Sequence, residues 1–272
     1  MTDPLLEIVA NGVEVFDLGR PMFIGMPQSP NHPAYWHTLP RRHGDRNRPD
    51  GGSAANDLIV TGTHVGTHID ALAHVSHDGR LCGGTDAVEA QQGGKFMDHG
   101  VHTIAPIFTV GVLLDVPAAL GKTSCPPGYE ITVADLEVTA VAQGTELGPG
   151  NVVLIRSGWG PRFDEGPEAY LGREGGVPGV GEAGARWLAD AGVVAAGADT
   201  VAFECLAPGA GHSVLPAHRV LLVEKGVYII EALDLEELAS RRVHRFTFVA
   251  IPLHLVGATG SPMRPLAVVA GA

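Results

Sequence analysis

Runs of apolar and β-branched residues alternate along the chain with segments of helical periodicity. The apolar runs predict strands at 58–63, 108–115, 152–156, 193–197, 226–231 and 246–251. The patterning of 133–143 and 182–191 predicts helices. The first of these has Thr132 as its N-cap, Asp135 three positions later and Gly144 just past its end. This alternation predicts an α/β domain with a mixed sheet.

Two segments follow neither pattern. Residues 41–52 are charged and contain glycine, and residues 161–181 are rich in glycine and proline. Irregular segments of this length often serve as lids over a site. The sequence does not decide which of the two segments covers a functional site.

The densest group of polar side chains lies in residues 64–74, where His64, His68, Asp70 and His74 occur within eleven residues. Neutral imidazole and carboxylate are ligands for borderline and hard divalent metals. A chain with 13 histidines contains some close pairs by chance. Burying four such groups together without partners is costly, however, so their spacing favours a shared metal centre with room for water.

A regular element cannot bring these groups together. In a straight strand His64 and His68 would be separated by about 13 Å. In a helix they would meet, but Asp70 would point elsewhere, since six residues turn well past one full rotation. Gly66 permits a bend that joins the histidines. Asp70 before helix-prone residues predicts that a helix starts there and returns His74 to the same face.

Composition limits the class of protein. The 272 residues are 45% hydrophobic, which predicts one globular domain spanning 1–272. The 18 basic and 30 acidic residues give a net charge of −12, which argues against nucleic acid or an anionic membrane as a partner. The three cysteines are scattered, and no signal-like or membrane-spanning run is evident, so a cytoplasmic location is expected.

Other functional motifs are either absent or lack the neighbouring structure that their function requires. The G-x-G-x-x-G pattern at 179–184 lacks the preceding strand that a dinucleotide-binding site requires. No G-x-S-x-G motif is present, so the sequence lacks the pattern that holds the nucleophilic serine of many serine hydrolases. His212, in a Gly/Pro loop near His218, is interpreted as a surface histidine, with a place in the site as the alternative. The aromatic residues Phe23, Trp36 and Trp159 are hypothesised to line a pocket for a flat substrate.

The pattern His-x-Gly-Thr-His-x-Asp-x-x-x-His at 64–74 resembles the cyclase family of metal-dependent hydrolases, which includes bacterial kynurenine formamidases and isatin hydrolases. The resemblance continues through most of the chain, in Phe16-Asp17-Leu18 with Gly25-Met26-Pro27, Gly111-Val-Leu-Leu-Asp115, Val153-Leu-Ile-Arg-Ser-Gly-Trp159, Leu215-Pro-Ala-His218, Ile229-Ile-Glu231 and Gly257-Ala-Thr-Gly-Ser-Pro262. The length, and the absence of proline from Ala71-Leu72-Ala73, make it more similar to the isatin-hydrolase branch.

The resemblance implies a swivelling β/β/α fold, a homo-oligomer (dimer or tetramer) and a set of site residues. The implied metal ligands are His64, His68, Asp70, His218 and Glu231, with Asp70 shared if there are two ions. The spacing to Glu231 is about one residue longer than the expected pattern. The metal is implied to be Mn²⁺ or Zn²⁺, as one ion or two, and His74 is implied to move protons.

These observations predict a metal-dependent amidohydrolase that acts on an amide-type C–N bond of a small molecule. An isatin-like cyclic or aryl amide is favoured as the substrate. N-formylkynurenine, a lactone and a cyclic imide are alternatives, because activated water attacks any sufficiently activated carbonyl. A non-catalytic metal-binding protein is the alternative from another class, and it would have a fully occupied coordination shell.

Overall fold

The structure is a computed structural model that describes residues 3–271. The strands are β1 (Val13–Asp17), β2 (Trp36–Arg41), β3 (Asn56–Val60), β4 (His68–Asp70), β5 (Gln91–Gln92), β6 (Lys95–Phe96), β7 (Ile107–Asp115), β8 (Glu130–Ile131), β9 (Val152–Arg156), β10 (Gly179–Val180), β11 (Ala195–Ala198), β12 (Tyr228–Glu231), β13 (Arg245–Ala250), β14 (Gly260–Pro262) and β15 (Leu266–Ala270). The α-helices are α1 (Pro4–Ala10), α2 (Val116–Ala119), α3 (Val133–Gln143), α4 (Pro167–Leu171), α5 (Glu182–Asp190), α6 (Pro216–His218) and α7 (Glu236–Ser240). A π-helical segment, Arg219–Lys225, follows α6 directly.

Nine strands form one mixed sheet in the order β1-β15-β13-β7-β9-β11-β12-β4-β14. The four central strands β7, β9, β11 and β12 run parallel, and every other neighbouring pair is antiparallel. Val13 near one end of the chain pairs with Ala270 near the other. The predicted α/β class with a mixed sheet is therefore confirmed. The nine strands of this sheet come from positions spread between Val13 and Ala270.

The central strands are buried on both faces, which explains why their sequences are nearly continuous apolar runs. Leu136 of α3 and Leu188 of α5 pack on one face, against side chains such as Val153 of β9. Leu154, the next residue, points to the opposite face and joins a second core cluster with Phe248. Both predicted helices thus cover the sheet, and no helix within residues 3–271 is long and apolar enough to span a bilayer.

The apolar run before the motif behaves differently from the other predicted strands. It forms β3, which pairs only with β2 in a separate hairpin, with the bulge of that hairpin between Thr38 and Arg41. Leu58, Ile59 and Val60 are each at least half exposed. The run consequently has strand structure, as predicted, but contributes nothing to the sheet that holds the motif.

Candidate metal centre and active-site cavity

The sheet brings the two halves of the predicted ligand set together. His68 and Asp70 lie at the two ends of β4, which pairs with both β12 and β14. The register of β4 with β12 places His68 directly opposite Glu231. Opposed residues in an antiparallel pair have neighbouring side chains, so this pairing explains how residues 163 positions apart in the chain meet.

Gly66 makes the predicted bend. Its φ of +71° lies in the left-handed region that glycine adopts at little cost. The bend folds His64 back so that its imidazole Nδ1 lies 2.6 Å from Asp70 Oδ1. The Gly66 carbonyl also accepts a 2.8 Å hydrogen bond from His68 Nδ1.

The predicted helix after Asp70 is absent, because the backbone there forms tertiary hydrogen bonds instead. Ala71 N donates to the Thr259 carbonyl and Ala73 N donates to the His99 carbonyl. Asp70 therefore ends a strand rather than capping a helix, and residues 71–74 form a turn. The prediction of a helix was wrong, although the turn still returns His74 to the site.

We expect Gly66→Ala to destabilise the metal-free protein by roughly 1–2 kcal/mol, since an alanine at positive φ is strained. An added Cβ would also lie 3.3 Å from Met22 Cγ and 3.4 Å from Met26 Cε. Gly121→Ala is the matched control, because Gly121 has φ +69° but open space around it. Urea unfolding should show a similar backbone cost in both variants. Zinc titration should show weaker binding only in Gly66→Ala, and equal zinc affinities would contradict the role of this bend.

The five predicted ligands form one buried cluster. His68 Nε2 lies 3.4 Å from both Asp70 Oδ1 and Glu231 Oε2. His218 Nε2 lies 3.2 Å from Glu231 Oε1 and 3.6 Å from Asp70 Oδ2. None of the five side chains is more than 7% exposed.

The chemistry of this cluster fits a divalent cation. His68 Nε2, Asp70 Oδ2 and Glu231 Oε1 are buried without a hydrogen-bond partner, which is costly unless another group satisfies them. Two groups of three residues each offer donor atoms that lie within 4.8 Å of one another, and both groups include Asp70. The groups are His64, Asp70 and His74, and His68, Asp70 and Glu231. This donor set of imidazole and carboxylate suits zinc or manganese.

The ionisable groups of the cluster shift one another's pKa values. Burial raises the pKa of Asp70, but the surrounding histidines outweigh it and hold that pKa well below its usual range. Burial and Asp70 likewise raise the pKa of Glu231, whereas His218 and His68 bring it down to about 2. Burial lowers the pKa of His68, yet its carboxylate neighbours raise it to about 10. A cation entering the centre therefore competes with protons on the histidines.

His74 differs from His68 and His218 in the direction of its pKa shift. Its ring stacks on that of His64 with centroids 3.8 Å apart. Burial lowers the pKa of His74 to about 3, and the neighbouring His64 and His218 contribute in the same direction against Asp70. The ring is therefore neutral at pH 7 in the metal-free protein.

The centre opens into a cavity of about 210 Å³. His64, His68, His74, His218 and Glu231 contribute to its wall. His32, Tyr170, Val201, His212 and Leu215 are among the other lining residues.

Several cavity residues were missed from the sequence. Tyr170 comes from the irregular segment 161–181, which is thus the one of the two candidate lids that reaches the site, whereas 41–52 does not line it. His212 lines the cavity, as the alternative interpretation had it, so the favoured assignment to the surface was wrong. Its Nδ1 lies 3.4 Å from Ser29 Oγ. The proximity of His212 to His218 in the chain was the available signal.

The three aromatic residues predicted for a pocket lie elsewhere. Trp159 is 1% exposed, and its indole Nε1 donates to the Tyr170 carbonyl, so it is a core residue. Phe23 and Trp36 are each about half exposed and do not line the cavity. Tyr170, although only 1% exposed, lines the cavity and is the one Phe, Tyr or Trp among the described lining residues.

The fold and the donor set define an α/β protein with a candidate divalent-metal centre. The chain belongs to the cyclase family: the family model described as "Putative cyclase" matches residues 16–205. The chain is 26% identical over 223 residues to isatin hydrolase from Roseibium aggregatum, covering 81% of this chain and 77% of that protein.

Solved structures agree on the fold. A crystal structure described as that of a novel cyclase has a TM-score of 0.83 at 27% identity, covering 98% of this chain and 93% of that one. Isatin hydrolase A from Ralstonia solanacearum has a TM-score of 0.77 at 23% identity, covering 99% and 98% of the two chains. The expected cyclase-family fold is thereby confirmed.

Proposed function

We propose that the protein is a metal-dependent hydrolase that cleaves the amide-type C–N bond of a small, uncharged cyclic amide of the isatin kind. The observation that carries this proposal is the buried group of imidazole and carboxylate donors in the wall of a small cavity. A divalent cation bound there would polarise the substrate carbonyl and acidify a water molecule.

We assign the metal ligands as His64, His68, Asp70, His218 and Glu231. Asp70 is the residue that two ions would share, because its two carboxylate oxygens face different histidines. Oδ1 lies near His64 and His68, and Oδ2 lies near His218. Metal identity and number remain predictions from the resemblance.

His74 is assigned the proton transfers. The neutral ring accepts a proton from the attacking water as the new C–O bond forms. It then donates that proton to the departing amide nitrogen as the C–N bond breaks. A cyclic amide would thus open to a carboxylate that keeps its amine attached, with one water consumed.

Cavity size and charge support a compact neutral substrate over N-formylkynurenine. Pockets for drug-sized ligands usually have about 300–1,000 Å³, and this cavity is smaller. Among the described residues, neither lysine nor arginine lines it. N-formylkynurenine carries an amino-acid ammonium and carboxylate, and burying such charges without ionic partners is costly. The isatin hydrolase relative supports the same choice.

The test is a parallel assay of isatin and N-formylkynurenine, before and after removal of metal with a chelator. We expect kcat/KM to be at least about tenfold higher for isatin, with activity lost on chelation and restored by Mn²⁺ or Zn²⁺. A lactone and a cyclic imide belong in the same panel. Retained metal with no turnover of any of them would favour the non-catalytic alternative.

A further inference from the structure

Glu204 is a buried carboxylate that neither the motif nor the ligand assignment uses. It is 1% exposed and lies beyond the end of β11, in a segment where Phe203 has a φ of +55°. A positive φ at a bulky residue is strained and persists only where surrounding structure holds it. Val180 of β10 forms an isolated parallel bridge with Glu204, which helps to hold this segment.

All three hydrogen bonds of this carboxylate go to one short stretch of chain. Glu204 Oε1 accepts from His218 Nδ1 at 2.6 Å and from the His218 backbone N at 3.0 Å. Glu204 Oε2 accepts from the Ala217 backbone N at 3.0 Å. These two amides lie in the first turn of the helical run 216–225, whose N–H groups have no partner inside the helix.

The bond to Nδ1 determines which nitrogen His218 presents to the centre. A carboxylate only accepts, so Nδ1 carries a proton, and Nε2 is the ring nitrogen left to bind a cation. His218 Nε2 is the atom that faces Asp70 and Glu231. His68 is arranged likewise, with Nδ1 donating to the Gly66 carbonyl. The acceptor behind His218 differs because it carries a full negative charge, which strengthens an imidazole as a ligand.

We propose that Glu204 is a positioning residue for the metal centre: it fixes the ring and tautomer of His218 so that Nε2 serves as a ligand. This inference rests on the proposed function, because it assumes that the centre holds a divalent cation. Glu204 itself does not reach the substrate cavity, since it is absent from the residues that line it. It acts through His218.

The experiment measures the dissociation constant for Zn²⁺ by competition with a chromophoric chelator. We expect Glu204→Gln to weaken zinc binding about tenfold, since the amide oxygen still accepts from Nδ1 but the charge is gone. We expect Glu204→Ala to weaken it about 100-fold. Glu236→Gln is the matched control, because Glu236 pairs with Arg156 away from the cavity. It should change zinc affinity by less than about twofold.

Two further measurements separate positioning from folding. Circular dichroism and thermal unfolding of the metal-free variants identify any loss of structure. A long-range ¹H–¹⁵N spectrum of the zinc-loaded protein should show His218 bound through Nε2 with its proton on Nδ1 in the wild type and in Glu204→Gln, and a mixture of ring states in Glu204→Ala. A folded Glu204→Ala variant with wild-type zinc affinity overturns the inference alone. Wild-type protein that binds no divalent metal overturns the proposed function as well.

Discussion

Replacing His74 by alanine is expected to lower kcat by about 10²–10⁴-fold while bound metal stays at the wild-type content. The magnitude is that of a positioned general acid–base. The reason is that the ring lines the cavity and stacks on the ring of His64, with centroids 3.8 Å apart, so it lies where the attacking water would be held. The measurement is steady-state kinetics on isatin together with elemental analysis of the same preparation.

The contrary outcome is equally informative, because His74 is also close enough to Asp70 and His64 to be a ligand. Loss of metal in His74→Ala would show that His74 is a metal ligand and would contradict its assigned role in proton transfer. His32→Ala is the matched control, since the His32 ring lies 5.1 Å from that of His64 and lines the same cavity. That variant should retain metal and lose much less activity than His74→Ala.

Asp70→Asn should weaken metal binding strongly and abolish turnover. Asp70 is completely buried and belongs to both sets of candidate ligand atoms. The amide keeps the size of the side chain but removes the negative charge and one acceptor oxygen. We expect zinc affinity to fall by at least about 100-fold, because losing a direct ligand should cost no less than losing a supporting group. Chelator competition measures this directly.

The circular dichroism spectrum of metal-free Asp70→Asn is the control for folding. A folded Asp70→Asn protein that keeps stoichiometric metal would contradict the assigned centre. Together, the two substitutions separate the steps: Asp70→Asn should lose the metal, whereas His74→Ala should keep it and lose proton transfer.

Local sequence signals predicted much of the secondary structure. Helix α3 ends as its flanking residues indicate. Thr132 and Asp135 form a reciprocal capping box, and Gly144 takes a left-handed conformation at its end. The bend at Gly66 was equally predictable, because no regular element lets His64 and Asp70 meet. The helix predicted at residues 71–74 does not form, because the backbone there makes hydrogen bonds with Thr259 and His99 that outweigh the local helix preference.

The distant members of the site came from the resemblance rather than from local reasoning. Nothing near Glu231 in sequence says that it faces His68, because that contact depends on the register of β12 against β4. Glu204 carried no signal at all, and Trp159 was assigned to the cavity although packing placed it in the core. Homo-oligomerisation and the choice between manganese and zinc remain predictions.

By itself, the sequence determined that two imidazoles and a carboxylate would converge around Gly66, because the spacing and the glycine act within a few residues of each other. Only the tertiary structure decided what completes the centre. Strand register brought Glu231 to His68, and the segment after β11 placed Glu204 behind His218. The physical reason is that contacts between distant residues depend on how whole strands and helices pack, which no short stretch of sequence encodes.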